Sequence, residues 1–390
     1  MGHSEIDVVI VGGAVMGSAT AYHLARLHPD LGVVVVEKDP TYRYSSTLLS
    51  DGNVRIQFNL EENIRISQYA FEVMETFPIE MAVGAFSPDP APRHQGNLFL
   101  TSAEHAPEAR SGMQRQIALG CDVSWLDADE VARRYPPYAG DGYVGGTFSQ
   151  IDGSVDPNAI LHGYRRKAAD LGVVFVEGEV TRLLTVDEKI TGVECADGSR
   201  LDSPIVMNAA GAWCTDLART AGVELPITPV MRSVFTVETA IHERVPSVFL
   251  PNGLYVIPEH EGTFAIGWSL PDDPVGFDFT YSRERFEEVL WPALVATMPA
   301  FDRLRLTGGW AGLYAVNTLD GNAILGEWPE LKGLYLANGF SGHGFQQCHA
   351  VGRYIAELIL GHEPFLDLSR FGPERIIDGE PYPEHAGRII

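Results

Sequence analysis

The sequence predicts a mixed α/β chain of two domains, one built on a parallel sheet and one on a larger antiparallel sheet. Three observations carry that expectation. At 390 residues the chain is long for a single hydrophobic core. Near its N-terminus a strand, a glycine turn, a helix and a second strand follow one another within about thirty residues. Near its C-terminus another buried strand runs into a glycine-rich corner and a helix.

The first unit is "IDVVIVGGAVMGSATAYHLARLHPDLGVVVVEKD". Ile6 to Val11 is apolar and largely β-branched but for Asp7, as a parallel strand buried on both faces requires. Ser18 to Leu27 has helical periodicity, and Gly32 to Glu37 reads as a second buried strand. The turn between them carries Gly12, Ala14, Val15, Met16 and Gly17, a G-x-A-x-x-G pattern with a methyl group at the middle position. The helix start behind it offers free N–H groups and a positive dipole end to phosphates. Glu37 ends the second strand, where an acidic side chain accepts hydrogen bonds from the ribose of an adenosine and disfavours a 2′-phosphate. Lys38 beside it joins the candidate cofactor contacts.

A nicotinamide enzyme would continue as a regular doubly wound sheet. Here residues 38–58 are a loop rich in small hydroxylic side chains (Ser45, Ser46, Thr47 and Ser50) with Gly52, which suits contact with a phosphate or a flavin edge. An ordinary polar surface loop is the competing reading. Residues 172–218 alternate like a small antiparallel sheet containing Val180, with a turn at Asp197-Gly198. They then give a buried strand, Ile205 to Asn208, that ends in Ala209, Ala210 and Gly211, followed by Trp213. Strand Leu334 to Ala337 leads to a corner of Ser341, Gly342, His343, Gly344, Phe345 and Gln346. The helix that starts there, about Gly344 to Leu360, points its N-terminus back at the same place. Two helix starts from opposite ends of the sequence imply a long cofactor with two electron-rich ends, which favours FAD over NAD.

Composition narrows the partners. The apolar and charged fractions, 45% and 21%, are those of a globular chain. The formal net charge of −24 argues against nucleic acid or an anionic membrane, since both need a basic patch. Cys121, Cys195, Cys214 and Cys348 lack zinc or disulfide spacing, so no metal is expected and a cytoplasmic location is. No basic region precedes the first apolar run, and Gly12 and Gly13 break it, so neither signal peptide nor membrane span is expected. Gly2 lacks a myristoylation motif, since Ile6 stands where Ser or Thr is required.

Taken together, "VVIVGGAVMGSATAYHLA", "DGSVDP" (152–157), "VMNAAGAWC", "NTLDGNAILG" (317–326) and "ANGFSGHGFQQ" resemble the D-amino-acid oxidase superfamily of FAD enzymes, nearest to glycine oxidase and monomeric sarcosine oxidase. The resemblance spans nearly the whole chain. It implies a Rossmann-like FAD-binding domain assembled from residues 1–80, 150–220 and 318–390. A second, antiparallel-sheet substrate domain would comprise 81–149 and 221–317, both stretches strand-rich, with a helix over Ser282 to Met298 on its outside.

It also implies oxidation of a C–N bond beside a carboxylate by hydride transfer to flavin N5, with hydrolysis of the imine. O2 or another acceptor would take the electrons. No side-chain base is obligatory if the amine enters unprotonated. His343 is a candidate base or proton relay; the plainer reading has it packing on the flavin or hydrogen-bonding locally. Leu313-Tyr314 and Leu48-Leu49 stand where relatives tether the flavin through Cys or His, so the FAD should be non-covalent. Tyr314 replaces glycine oxidase's carboxylate-binding arginine, and Gln346 replaces a lysine of sarcosine oxidase. Ala265 stands where sarcosine oxidase holds a lysine over the flavin.

The substrate residues expected are therefore Arg55 first, then Arg43 and Arg232 as cations, Tyr255, Tyr314 and Gln346 as polar contacts, and Trp268 with Phe58 as an apolar wall. The reading is a FAD-dependent amine oxidoreductase for an N-substituted glycine, with an N-carboxymethyl amino acid giving glyoxylate and a free amine as one form. Alternatives are an amino-acid dehydrogenase using an acceptor other than oxygen, or a flavoprotein with structural FAD that acts as an assembly factor. An aromatic-hydroxylating monooxygenase would need a Gly-Asp motif that the "GFSGHG" corner replaces.

Overall fold

The structure, a computed structural model, describes residues 6–384. Gly2 and the expected domain ends at 1–5 and 385–390 lie outside the described residues. The first strand, Val8–Val11, is buried along its length and lies between two parallel neighbours, Ile205–Asn208 and Val33–Glu37. Leu334–Asn338 and Val174–Glu177 extend the parallel set, and Ile324–Glu327 closes one edge antiparallel, for six strands. One face packs on helices, with Tyr22, Leu24, Tyr164 and Ile355 in the core. The other face packs on the small sheet expected within 172–218, formed by Val180–Val186, Lys189–Cys195 and Arg200–Asp202. Cover on both faces is why these strands read as unbroken apolar runs.

The first helix runs Val15–Leu27 and so starts earlier than its periodicity predicts. A Cβ on Gly17 would stand 1.9 Å from the Gly12 carbonyl oxygen. The first helical turn is therefore set by close backbone approach, which an apolar pattern does not record. The corner helix, Gly344–Ile359, lies where expected.

The second sheet has eight strands, in the order Leu304–Asn317, Ile227–Thr239, Thr263–Gly267, Tyr255–His260, Ser247–Phe249, Asn97–Thr101, Gly145–Ser149 and Ser124–Asp127. All its pairs are antiparallel except Ser247–Phe249 with Asn97–Thr101. Residues 80–150 also hold two helices, Ala106–Ala118 and Ala128–Arg134, beyond the strands expected there. The longer one buries Ala109, Gly112, Met113 and Gln116, a face too small and polar to give a helical signal. The outer helix appears as Arg283–Thr297, with one wide turn at Phe286–Leu290 just ahead of Pro292, which has no N–H to donate. It buries Phe286, Leu290 and Leu294 in this sheet's core.

The loop after the first unit is pinned by Asp152, the first residue of "DGSVDP". Its carboxylate accepts from the Ile56 N–H at 2.8 Å and from Gln57 Nε2 at 2.9 Å. Next to it, Gly153–Ser154 pairs with Asn53–Val54. Burial raises this carboxyl group to about 7 against the pull of those hydrogen bonds. The folded chain therefore takes up this proton near pH 7, whereas the unfolded chain does so only near ~4. Between those values the native state binds more protons, so this group makes the fold more stable as pH falls. Thermal melting between about pH 5 and pH 8 should show that slope, and Asp152→Asn should flatten it.

Candidate active site

A cavity of about 530 Å³ begins at the C-terminal ends of the parallel strands, at Val11, Val36, Ala209 and Ala337, and reaches the large sheet at Val234, Phe249 and Tyr255. That volume suits a small-molecule site.

Its outer part is built by the glycine turn. Gly12 has φ +100°, and a Cβ there would stand 2.5 Å from the Ala209 carbonyl oxygen, so only glycine turns the chain here. Ala14 caps the first helix without any side-chain acceptor. Val15, Met16 and Ala14 line the cavity, and Thr47 Oγ1 lies 3.4 Å from the Val15 amide. Glu37 accepts from the Gly13 and Asp39 amides, both at 2.8 Å, and is among the residues lining the cavity. Lys38 Nζ sits 3.5 Å over the Trp213 ring, and burial lowers its pKa. Val180, Ala210 and Gly211 complete this wall.

The hydroxylic loop crosses the middle. Ser46 Oγ donates to Leu313 O at 2.7 Å, and Trp310 Nε1 donates to Leu49 O at 2.9 Å, so the loop is fastened to strand Leu304–Asn317. Ser45 and Ser50 accept from the Leu48 and Gly52 amides, at 3.2 and 3.1 Å.

The corner closes the inner part. Gly342 has φ +100°, and a Cβ on it would stand 2.4 Å from the Tyr314 ring, so this backbone lies flat on the tyrosine. Ser341 holds φ +51°, a costly conformation for a side-chain-bearing residue, and its Oγ accepts from the Asn317 amide at 3.0 Å. His343 stands at the N-terminal cap of the corner helix but its side chain does not bond the helix's amides, and Gly344, Phe345 and Gln346 line the cavity after it.

Two expectations change at this corner. Gln346 was expected to contact substrate, but its amide is engaged by protein. Oε1 accepts from the Arg55 N–H at 2.7 Å, while Nε2 donates to Arg55 O at 2.7 Å and to Ser67 Oγ at 2.6 Å. It positions Arg55. His343, a candidate base, has its Nε2 3.0 Å from Arg55 Nη2. A guanidinium can only donate, so the imidazole accepts and is neutral. Burial, with the Arg55 charge, lowers its pKa to about 3. The plainer reading, a local hydrogen bond, describes this residue.

Arg55 is itself buried, its guanidinium carbon 4.4 Å from the centre of the Phe58 ring. Arg232 also lines the cavity. Its Nη1 donates to the Asp273 carboxylate, and its Nε has no hydrogen-bond partner among the described residues. Tyr255 and Tyr314 stand beside it. Burial, with the negative charge of Asp51, raises the Tyr314 pKa to about 12.

Four expected residues, with Phe58, lie off the cavity wall. Gly17 faces back onto Gly12, and Gly52 onto Val155 O. Arg43 is exposed and packs on Tyr44. Trp268 donates to Asn252 O and joins the core outside. Phe58 sits behind Arg55. Among the residues missed are two acids. Asp51 lines the cavity, and its signal was an acid among hydroxylic neighbours. Asp273 pairs with both Arg232 and Arg285, and nothing in the sequence joins it to them.

Two uncapped helix starts and an acidic strand end around one cavity define a dinucleotide-binding oxidoreductase, and the donor set fits FAD. Residues 7–358 match the DAO family model, described as FAD dependent oxidoreductase. The chain belongs to this enzyme family, and FAD is its cofactor. It is 34% identical to FAD-dependent oxidoreductase domain-containing protein 1 of Bos taurus, over 97% of this chain and 86% of that protein. It is 26% identical to glycine oxidase of Pseudomonas putida, over 94% and 98%. The solved structure of L-proline dehydrogenase from P. horikoshii matches with a TM-score of 0.85 at 26% identity, covering 97% of this chain and all of that one.

Gly12→Ala should purify folded but depleted of flavin. Backbone strain of about 1–3 kcal/mol lowers FAD affinity tenfold or more, by roughly 1.4 kcal/mol per decade. Flavin absorbance per mole of purified protein checks it.

Proposed function

We propose that the chain oxidises the C–N bond of a secondary amine or amino acid of N-substituted glycine type. An N-carboxymethyl amino acid, giving glyoxylate and a free amine, is the preferred form. The observation that carries this reading is the inner end of the cavity, where Arg55, Arg232, Tyr255 and Tyr314 converge beside the corner. A buried carboxylate needs charge-assisted donors. Two of the relatives are named for glycine and for proline, and proline is a secondary amine.

FAD, when bound, supplies the acceptor for hydride from the substrate carbon, and water hydrolyses the resulting imine. The protein's part is binding, orientation and charge. We assign the outer turn and the first helix start to the pyrophosphate, Glu37 to the ribose, and Lys38, Val180, Ala210, Gly211 and Trp213 to the adenosine side. Ser45 to Ser50 and Ser341 to Gln346 border the ring system. Arg232, with its unpartnered Nε, takes the substrate carboxylate, and Arg55 adds positive charge from a position fixed by Gln346. Tyr255 and Phe249 exclude water.

Attachment is non-covalent in this reading: the four buried cysteines are not among the cavity-lining residues. Their unpaired state fits a reducing compartment, and we assign the cytoplasm. No helix among the described residues is long and apolar enough to cross a membrane. The domain division is proposed as the sequence suggests, since the two sheets draw their strands from those ranges. The electron acceptor is O2 or another oxidant. Ala265, where a relative has a lysine, is fully buried in strand Thr263–Gly267.

Mixing FAD-loaded protein anaerobically with N-methylglycine, N-carboxymethyl amino acids, proline and glycine tests the first half-reaction. The N-substituted compounds should bleach the flavin, and Arg232→Leu should weaken their binding by about 30-fold or more. Absence of bleaching by every amine contradicts the reading.

A further inference from the structure

The cavity contains a carboxylate that neither FAD binding nor carboxylate recognition uses. Asp51 lines it, half-buried, from the hydroxylic loop. Its Oδ1 accepts from the Asn53 amide at 3.0 Å, and the Tyr255 side chain stands close enough to feel its charge. Its charge reaches Tyr255 and Glu259 on strand Tyr255–His260 and Tyr314 on Leu304–Asn317, while Arg232, Arg55 and neutral His343 line the same cavity.

Asp51 forms no ion pair among the described residues; Arg232 is paired with Asp273, and Arg55 donates to His343. An anion held by an amide, beside a phenol, but by no cation among the described residues, on the wall of a cavity that also presents guanidinium groups, is complementary to a zwitterion. The carboxylate of such a ligand meets arginine, and its ammonium meets Asp51.

We propose that Asp51 binds the protonated nitrogen of the substrate and accepts its proton, so that this chain selects amines that arrive as cations. The inference rests on the amine reading above. In the step one N–H bond breaks and one carboxyl O–H bond forms. The nitrogen keeps the electron pair, the positive charge on nitrogen and the negative charge on Asp51 are cancelled together, and nothing is oxidised. The lone pair so released supports departure of hydride from the neighbouring carbon. Burial raises the proton affinity of Asp51, which favours transfer in this direction.

The test needs two ligands of one shape: trimethylglycine, whose nitrogen is a permanent cation, and 3,3-dimethylbutanoate, in which an uncharged carbon replaces that nitrogen. Calorimetry on the FAD-loaded protein should show the cation binding at least about tenfold tighter, with Asp51→Asn abolishing that preference while changing the isostere by no more than about twofold. Retention of FAD reports that the variant is folded. A second variant, Asp51→Glu, keeps the negative charge and should keep the preference for the cation. Equal binding of the two ligands to wild-type protein, or an equal loss of both in Asp51→Asn, overturns the role of Asp51 and leaves the amine reading standing. Failure of wild-type protein to bind either ligand overturns both.

Discussion

Gln346 holds both the N–H and the C=O of Arg55, and much of the inner cavity depends on that grip. The segment from Ser45 to Gln57 runs between the two sheets with almost no regular structure of its own. Buried irregular backbone must find its hydrogen-bond partners elsewhere. Gln346 supplies them from the corner, Asp152 from the "DGSVDP" stretch, and Trp310 from the long strand of the large sheet, whose Leu313 carbonyl also accepts from the Ser46 hydroxyl. Each such bond contributes only about 1 kcal/mol, while leaving a buried group unpaired costs more. The loop therefore has one register, and it carries Asp51 and Arg55 into the cavity.

That arrangement explains how charge is distributed in a chain that is strongly acidic overall. The inner cavity gathers Arg55 and Arg232 at one end of a buried space, and both are oriented by neighbours rather than left free. His343 accepts from Arg55, and Asp273 accepts from Arg232. Pre-oriented donors in a region of low dielectric act more strongly on a ligand's charge than exposed ones would.

Much of the fold was legible because its signals are local. Buried parallel strands read as β-branched runs, the glycine turn marks close backbone approach, and the corner helix has a regular apolar face. Element starts were less visible: the first helix begins at Val15 because Gly17 packs on Gly12, and spacing of apolar residues does not report that contact. Within the site, residues on the turn and the corner could be found by position in the chain. The role of Gln346 could not, since it depends on Arg55, 291 residues away. Asp273 and Arg232 are likewise joined only by folding. Arg43 and Trp268 were reasonable by residue type, and the structure turns them away.

The most direct measurement is a crystal structure of the FAD-loaded protein with a carboxylate-bearing substrate analogue. The flavin ring should lie along residues 341–346, with the analogue's carboxylate about 3 Å from a guanidinium nitrogen of Arg232 or Arg55. A ring seated away from that corner, or a carboxylate out of reach of both arginines, would contradict it.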